Sequence, residues 1–145
     1  MSAENVAFVR GLFEAGANLD KQALLEILPE AVAQAFTDDA VWEEDPGRAD
    51  RQVWRGHDGI VASWRHWMDQ WDEYSFEVAG IEDHGDRVLA VMTERARGES
   101  SGANVTATNH LVFTFRDGKI SRYQEFYDES AARSALTLGR AGSGS

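Results

Sequence analysis

From Tyr74 onward the apolar residues of this chain change their spacing from three and four to two. Tyr74, Phe76 and Val78 alternate with polar neighbours, and longer runs follow from Arg87 to about Arg97, from Ala103 to Arg116 and from Lys119 to Tyr127. A period of two is what a strand shows when one of its faces lies against a core. The joints between the runs agree with this reading. His84-Gly85-Asp86 is a turn, Gly98 to Gly102 is a small-residue hairpin loop, and Asp117-Gly118 is the strongest short-range hairpin signal in the chain.

Before Tyr74 the pattern is mainly helical. Val6, Val9, Leu12 and Phe13 recur at spacings of three and four, and Ser2 is a candidate cap for their helix. Asp20 caps a second helix carrying Leu24, Leu25, Ile27 and Leu28, which Pro29 either ends or separates from a short third helix over Ala31 to Phe36. Ala40 to Glu44 reads as a strand, followed by a polar loop from Asp45 to about Arg51. Asp58 caps a helix on which Ile60, Trp64, Trp67 and Trp71 form an aromatic stripe. After the last strand, Asp128 caps a terminal helix through Ala131, Ala135, Leu136 and Leu138. Helices first and antiparallel strands after define an α+β fold, with helices packed on one face of a bent, mostly antiparallel sheet. We expect a single domain over residues 1–139 and a flexible tail over 140–145.

The chain's 145 residues suffice for one core without disulfides or metal. A net charge of −11 repels a phosphate backbone, so nucleic acid is not an expected partner. No apolar run reaches the ~20 residues of a membrane span, and no basic stretch precedes an apolar run at the N-terminus. With no cysteine in the chain, the cytoplasm is the expected setting.

Several polar residues share strand faces with apolar ones. Thr93, Arg95 and Arg97 follow Leu89 and Val91 at period two, Asn109 sits among Val105, Ala107, Leu111 and Phe113, and Glu125 lies between Tyr123 and Tyr127. Buried charges are expected to be paired with each other or with a ligand. The pattern therefore predicts a pocket in which Glu125 serves as an acid/base carboxylate and Arg95, with Arg97, as an anion stabiliser. The other reading of Glu125 and Arg95 is a structural ion pair at the rim. Asn109 and Tyr123 are expected to orient, and His110 is a second acid/base candidate if a bulge turns it inward. Most of the tryptophan stripe reads as core, with Trp64 or Trp67 reaching the cavity. Glu44 joins the set if its strand faces inward with Trp42, and otherwise belongs to an exposed acidic run.

Other chemistries find little support. Gly98-Glu99-Ser100-Ser101-Gly102 matches G-x-S-x-G, but it joins two antiparallel strands where a nucleophile needs a strand-to-helix elbow. The histidines His57, His66, His84 and His110 lack metal-ligand spacing, and there is no phosphate loop or dinucleotide fingerprint. We expect no metal site and no cofactor.

Several stretches resemble the nuclear-transport-factor-2-like superfamily, in particular its SnoaL-like, polyketide-cyclase-related branch. The carriers are Phe36-Thr37-Asp38-Asp39-Ala40-Val41-Trp42, Trp54-Arg55-Gly56-His57-Asp58-Gly59, Gly98 to Gly102, Arg116-Asp117-Gly118-Lys119-Ile120 and the ending around Asp128. The resemblance implies a cone-shaped α+β barrel enclosing a pocket for a hydrophobic small molecule, and a homodimer formed through outer-face positions such as Val112 and Thr114. It marks the fold more than the activity, because the superfamily includes isomerases, cyclases, dehydratases, hydrolases and proteins that only bind. Thr93-Glu94-Arg95-Ala96-Arg97 resembles the Thr-Glu-Arg-x-Asp strand of limonene epoxide hydrolases, which maps their catalytic Arg to Arg95. Their proton-donating Asp falls on Arg97, which cannot donate in that way. Their water-activating Asp with its tyrosine and asparagine helpers falls on Glu125, Trp42 and Glu44. Two functions follow: a cofactor-independent acid/base enzyme, or a binding domain with the same cavity.

Overall fold

In a computed structural model, residues 2–17, 19–98 and 102–143 are described. The order is α1 (Ser2–Ala17), α2 (Lys21–Ala35), β1 (Phe36–Glu43), β2 (Val53–Arg55), α3 (Gly56–Met68), β3 (Glu73–His84), β4 (Arg87–Gly98), β5 (Ala103–Arg116), β6 (Lys119–Phe126) and α4 (Glu129–Ser143). The six strands form one curved sheet in the order β2-β1-β6-β5-β4-β3, antiparallel except where β1 runs parallel to β6. This is the expected α+β arrangement. No helix among the described residues is long and apolar enough to cross a membrane.

Asp20 caps α2, its carboxylate accepting from the Ala23 amide at 2.9 Å. Pro29 neither ends α2 nor separates it from a third helix, because Leu24, Leu28, Val32 and Ala35 continue one apolar face across it. Burial of that face outweighs the ~3 kcal/mol that an interior proline costs. The strand predicted from Ala40 begins earlier, at Phe36. Helix α3 begins at Gly56 without a side-chain cap, so Asp58 lies in its first turn, and Trp71 falls beyond its end.

The main core lies between the inner sheet face and α1 to α3. It joins Val9, Phe13, Val32 and Ile60 to Val88, Ala90, Met92, Leu111, Phe113 and Tyr123. A second cluster lies on the outer face, where Ala132 and Leu136 of α4 cover Leu89, Val112 and Phe126. Val112 is therefore fully buried beneath α4 within one chain, which corrects its expected place at a dimer interface. Helix α4 extends through Ser143, past Gly139 where the sequence pattern ends it. The serine of the G-x-S-x-G match lies outside the described residues, while Gly98 and Ala103 pair across antiparallel strands.

At the β5/β6 turn Asp117 and Gly118 have φ of +54° and +81°. Both central residues are left-handed, as this hairpin turn requires. A β-branched side chain is strained there, so Gly118→Val should destabilise the protein by on the order of 1–3 kcal/mol without touching the cavity. Thermal unfolding checks this, and an unchanged midpoint would contradict it.

Candidate functional site

One irregularity decides which side chains face the cavity. From the His84/Arg87 end, β3 and β4 pair regularly as far as Gly80 with Val91, but the next pair is Val78 with Met92. Ala79 is the extra residue of a bulge. Beyond it Tyr74 pairs with Ala96, Phe76 with Glu94 and Val78 with Met92. Residues directly opposite share a face, so the inward set on β4 is Met92, Glu94 and Ala96. Arg95 and Arg97 are exposed on the other face, which corrects the expectation that they project into the cavity. Arg95 pairs there with Glu77 at 3.0 Å, the two side chains 55% and 60% accessible.

The buried charge on β4 is instead Glu94, 7% exposed. It accepts from the Tyr74 hydroxyl at 2.7 Å and from Asn109 Nδ2 at 2.6 Å. Asn109 is fully buried on β5 opposite Met92 and reaches Glu94 along the diagonal of the ladder. Burial and the Glu94 charge push the Tyr74 hydroxyl well above its usual range, which keeps it a donor.

Strand β6 brings the second carboxylate. Tyr123 and Glu125 alternate along it, opposite Phe113 and Leu111, and Trp42 pairs with Tyr123 across the parallel β1/β6 junction. The Trp42 and Tyr123 rings lie 4.1 Å apart. Glu125 Oε1 is shut off from solvent and has no hydrogen-bond partner among the described residues. Burial first, and then the Glu94 charge, push its carboxyl up to about 7, against a hydrogen bond from the Asp45 backbone that pulls the other way.

The two carboxylates line a cavity of about 50 Å³ that opens to solvent. Trp64, Trp67, Tyr74 and Met92 form its inner wall, and Arg48, His66, Gln70 and Tyr127 also line it. Burial, followed by the charge on Glu125, pushes the Tyr127 hydroxyl up to about 12. Glu44 lines the cavity too, but its oxygens are occupied by Trp54 Nε1 and the Gln52 amide, each at 3.0 Å, so it ties β1 to β2. Asp45 does similar work, accepting from the Gly47 and Tyr127 amides.

The structure thus brings Glu125, Trp42, Glu44, Trp64, Trp67 and Tyr123 to one cavity, with Asn109 behind Glu94. His110, with Val112, belongs to the even-numbered outer face of β5 and does not line the cavity, and no bulge turns it inward. Sequence reasoning misses Glu94, Tyr74, Arg48 and Tyr127. The signal that could have found Glu94 is the pairing of Gly98 with Ala103, which sets Asn109 opposite Met92 and carries Glu94 onto the same face.

The sequence profile of the SnoaL-like domain matches residues 7–123. The chain belongs to the SnoaL-like family. No curated protein sequence matches it. Among solved structures this SnoaL-like domain is similar to a putative SnoaL-like polyketide cyclase from Jannaschia sp. CCS1, at 17% identity and a TM-score of 0.71, covering 93% of this chain and 92% of that one. It is also similar to TerC co-crystallised with polyporic acid, at 18% identity and a TM-score of 0.68, covering 92% and 98%. An LEH-like epoxide hydrolase from M. tuberculosis matches at 20% identity and a TM-score of 0.59, covering 97% and 94%. At these identities the likeness is one of fold, the nuclear-transport-factor-2-like cone.

Proposed function

We propose that this SnoaL-like domain is an acid/base enzyme acting with its own side chains on a largely apolar small molecule, with Glu125 as the base. The observation that carries the reading is the unpartnered, solvent-shielded Oε1 of Glu125 in an aromatic cavity beside a second, fully hydrogen-bonded carboxylate. A base is most effective when its pKa lies near the working pH, and Glu125 sits there. Glu94, held by Tyr74 and Asn109, is one cause of the raised Glu125 carboxyl, after burial. The step is transfer of a proton from an acidic carbon of the substrate to Oε1, with the electron pair moving into the adjacent unsaturated group. Isomerisation, cyclisation and dehydration all begin this way. Epoxide opening in the manner of the limonene enzymes is disfavoured, because Arg95 and Arg97 stand on the outer face.

Incubating the protein in D2O with a panel of enolisable ketones and lactones, and following deuterium uptake by mass spectrometry, tests the reading. We expect catalysed exchange for the compounds that fit, lost in Glu125→Gln. Equal exchange in that variant would remove Glu125 as the base and favour a domain that only binds. The homodimer implied by the resemblance would need sheet surface other than Val112. Light scattering at micromolar concentration should give twice the monomer mass, and the monomer mass would reject it.

A further inference from the structure

The cavity has an unusual balance of groups. Six aromatic residues line it: Trp42, Trp64, Trp67, Tyr74, Tyr123 and Tyr127. Three carboxyl side chains line it as well, Glu44, Glu94 and Glu125. The only guanidinium among the described lining residues is Arg48, and two of its nitrogens are held by Asp50 at 3.2 and 3.3 Å, with Glu44 4.0 Å away. With Arg95 and Arg97 outside, the Arg48 charge pulls the Glu125 carboxyl down by less than burial and the Glu94 charge push it up.

Such a chamber suits one kind of ligand. The π faces of Trp and Tyr attract an organic cation, and a low-dielectric wall strengthens its attraction to nearby carboxylates. An anionic substrate meets repulsion on entry, and a neutral one leaves the two carboxylates repelling each other. A cation relieves that repulsion. It also adds positive charge to that of Arg48, stabilising the anion that forms when a neighbouring carbon loses its proton.

We propose that the substrate is an organic cation, an amine or quaternary ammonium compound with an apolar body, whose charged head sits between Glu94 and Glu125 against the aromatic wall. The proposal rests on the reading of this cavity as the substrate site.

Two probes of the same shape test it: phenyltrimethylammonium and its uncharged carbon isostere tert-butylbenzene, titrated at low salt and followed by the fluorescence of the tryptophans in the wall. The cation should bind about tenfold or more tightly than the isostere, a difference of ~1.4 kcal/mol. Glu94→Gln should bring the preference below about threefold while leaving tert-butylbenzene binding unchanged. If Glu94→Gln does not fold, Glu125→Gln serves, and Trp67→Leu should weaken the cation more than the isostere. Equal or tighter binding of tert-butylbenzene by the unmodified protein would overturn the proposal. So would a cation preference that survives loss of either carboxylate, or failure of both probes to bind. These readings are independent of turnover: absence of the preference in the unmodified protein with its deuterium exchange intact rejects the cationic substrate alone, whereas a preference present in the unmodified protein with exchange intact in Glu125→Gln rejects only the base.

Discussion

Glu125→Gln is expected to lower catalysed deuterium exchange by about 10²- to 10⁴-fold while ligand affinity stays within about tenfold. The amide keeps the shape of the side chain and loses the basic oxygen. The Oε1 position has no hydrogen-bond partner among the described residues, so none of their bonds is broken there. The variant should also differ in how its stability responds to pH. Folding raises the Glu125 carboxyl from an ordinary 4.5 to about 7. Between those values the folded protein binds more protons than the unfolded chain, so Glu125 makes stability fall as pH rises from about 4.5 to about 7. The loss is on the order of 1–3 kcal/mol and is complete at higher pH. A glutamine side chain has no proton to lose, so denaturant unfolding should find the variant more stable than the parent at pH 8, and the gap should shrink at pH 5. A parent whose stability does not fall over that range would show that Glu125 is not destabilised by burial.

Asn109→Leu is expected to destabilise the protein by about 2–4 kcal/mol. Asn109 is fully buried and, with Tyr74, is a side-chain donor to Glu94. Leucine would leave that carboxylate in an apolar wall with Tyr74 alone. Asn109→Asp separates lost bonding from lost shape, since it places a second carboxylate where the donor now stands, 2.6 Å from the first. Its cost should be larger than that of leucine at pH 8 and should diminish as the solution is acidified, because a proton shared between the two carboxylates restores a hydrogen bond. Urea midpoints at pH 5 and pH 8 give both results. Midpoints equal to the parent's would show that Glu94 does not depend on Asn109.

The outward placement of Arg95 and Arg97 shows where sequence reasoning stops. Counting strictly from the His84/Arg87 pair, Tyr74 falls opposite Arg97, Phe76 opposite Arg95 and Val78 opposite Thr93. That parity puts the arginines with the aromatics. Ala79 breaks it, and because side chains alternate with a period of two, one extra residue moves every subsequent side chain to the other face. Alternation on β4 could not reveal the error. Val88, Leu89 and Ala90 are all fully buried, the even positions by the main core and Leu89 by α4, so both parities look equally apolar.

What the sequence determined by itself is local: the α+β order, the Asp20 cap, the left-handed Asp117-Gly118 turn, and the inward faces of β5 and β6 that carry Asn109, Tyr123 and Glu125. Those features depend on neighbours within a few residues, where periodicity and turn chemistry act. The continuity of α2 across Pro29, the covering of Val112 by α4 and the choice of Glu94 over Arg95 as the cavity's second charge were decided by tertiary structure. Each turns on which distant surface a side chain meets, and a bulge or a covering helix changes that without leaving a mark in the local pattern.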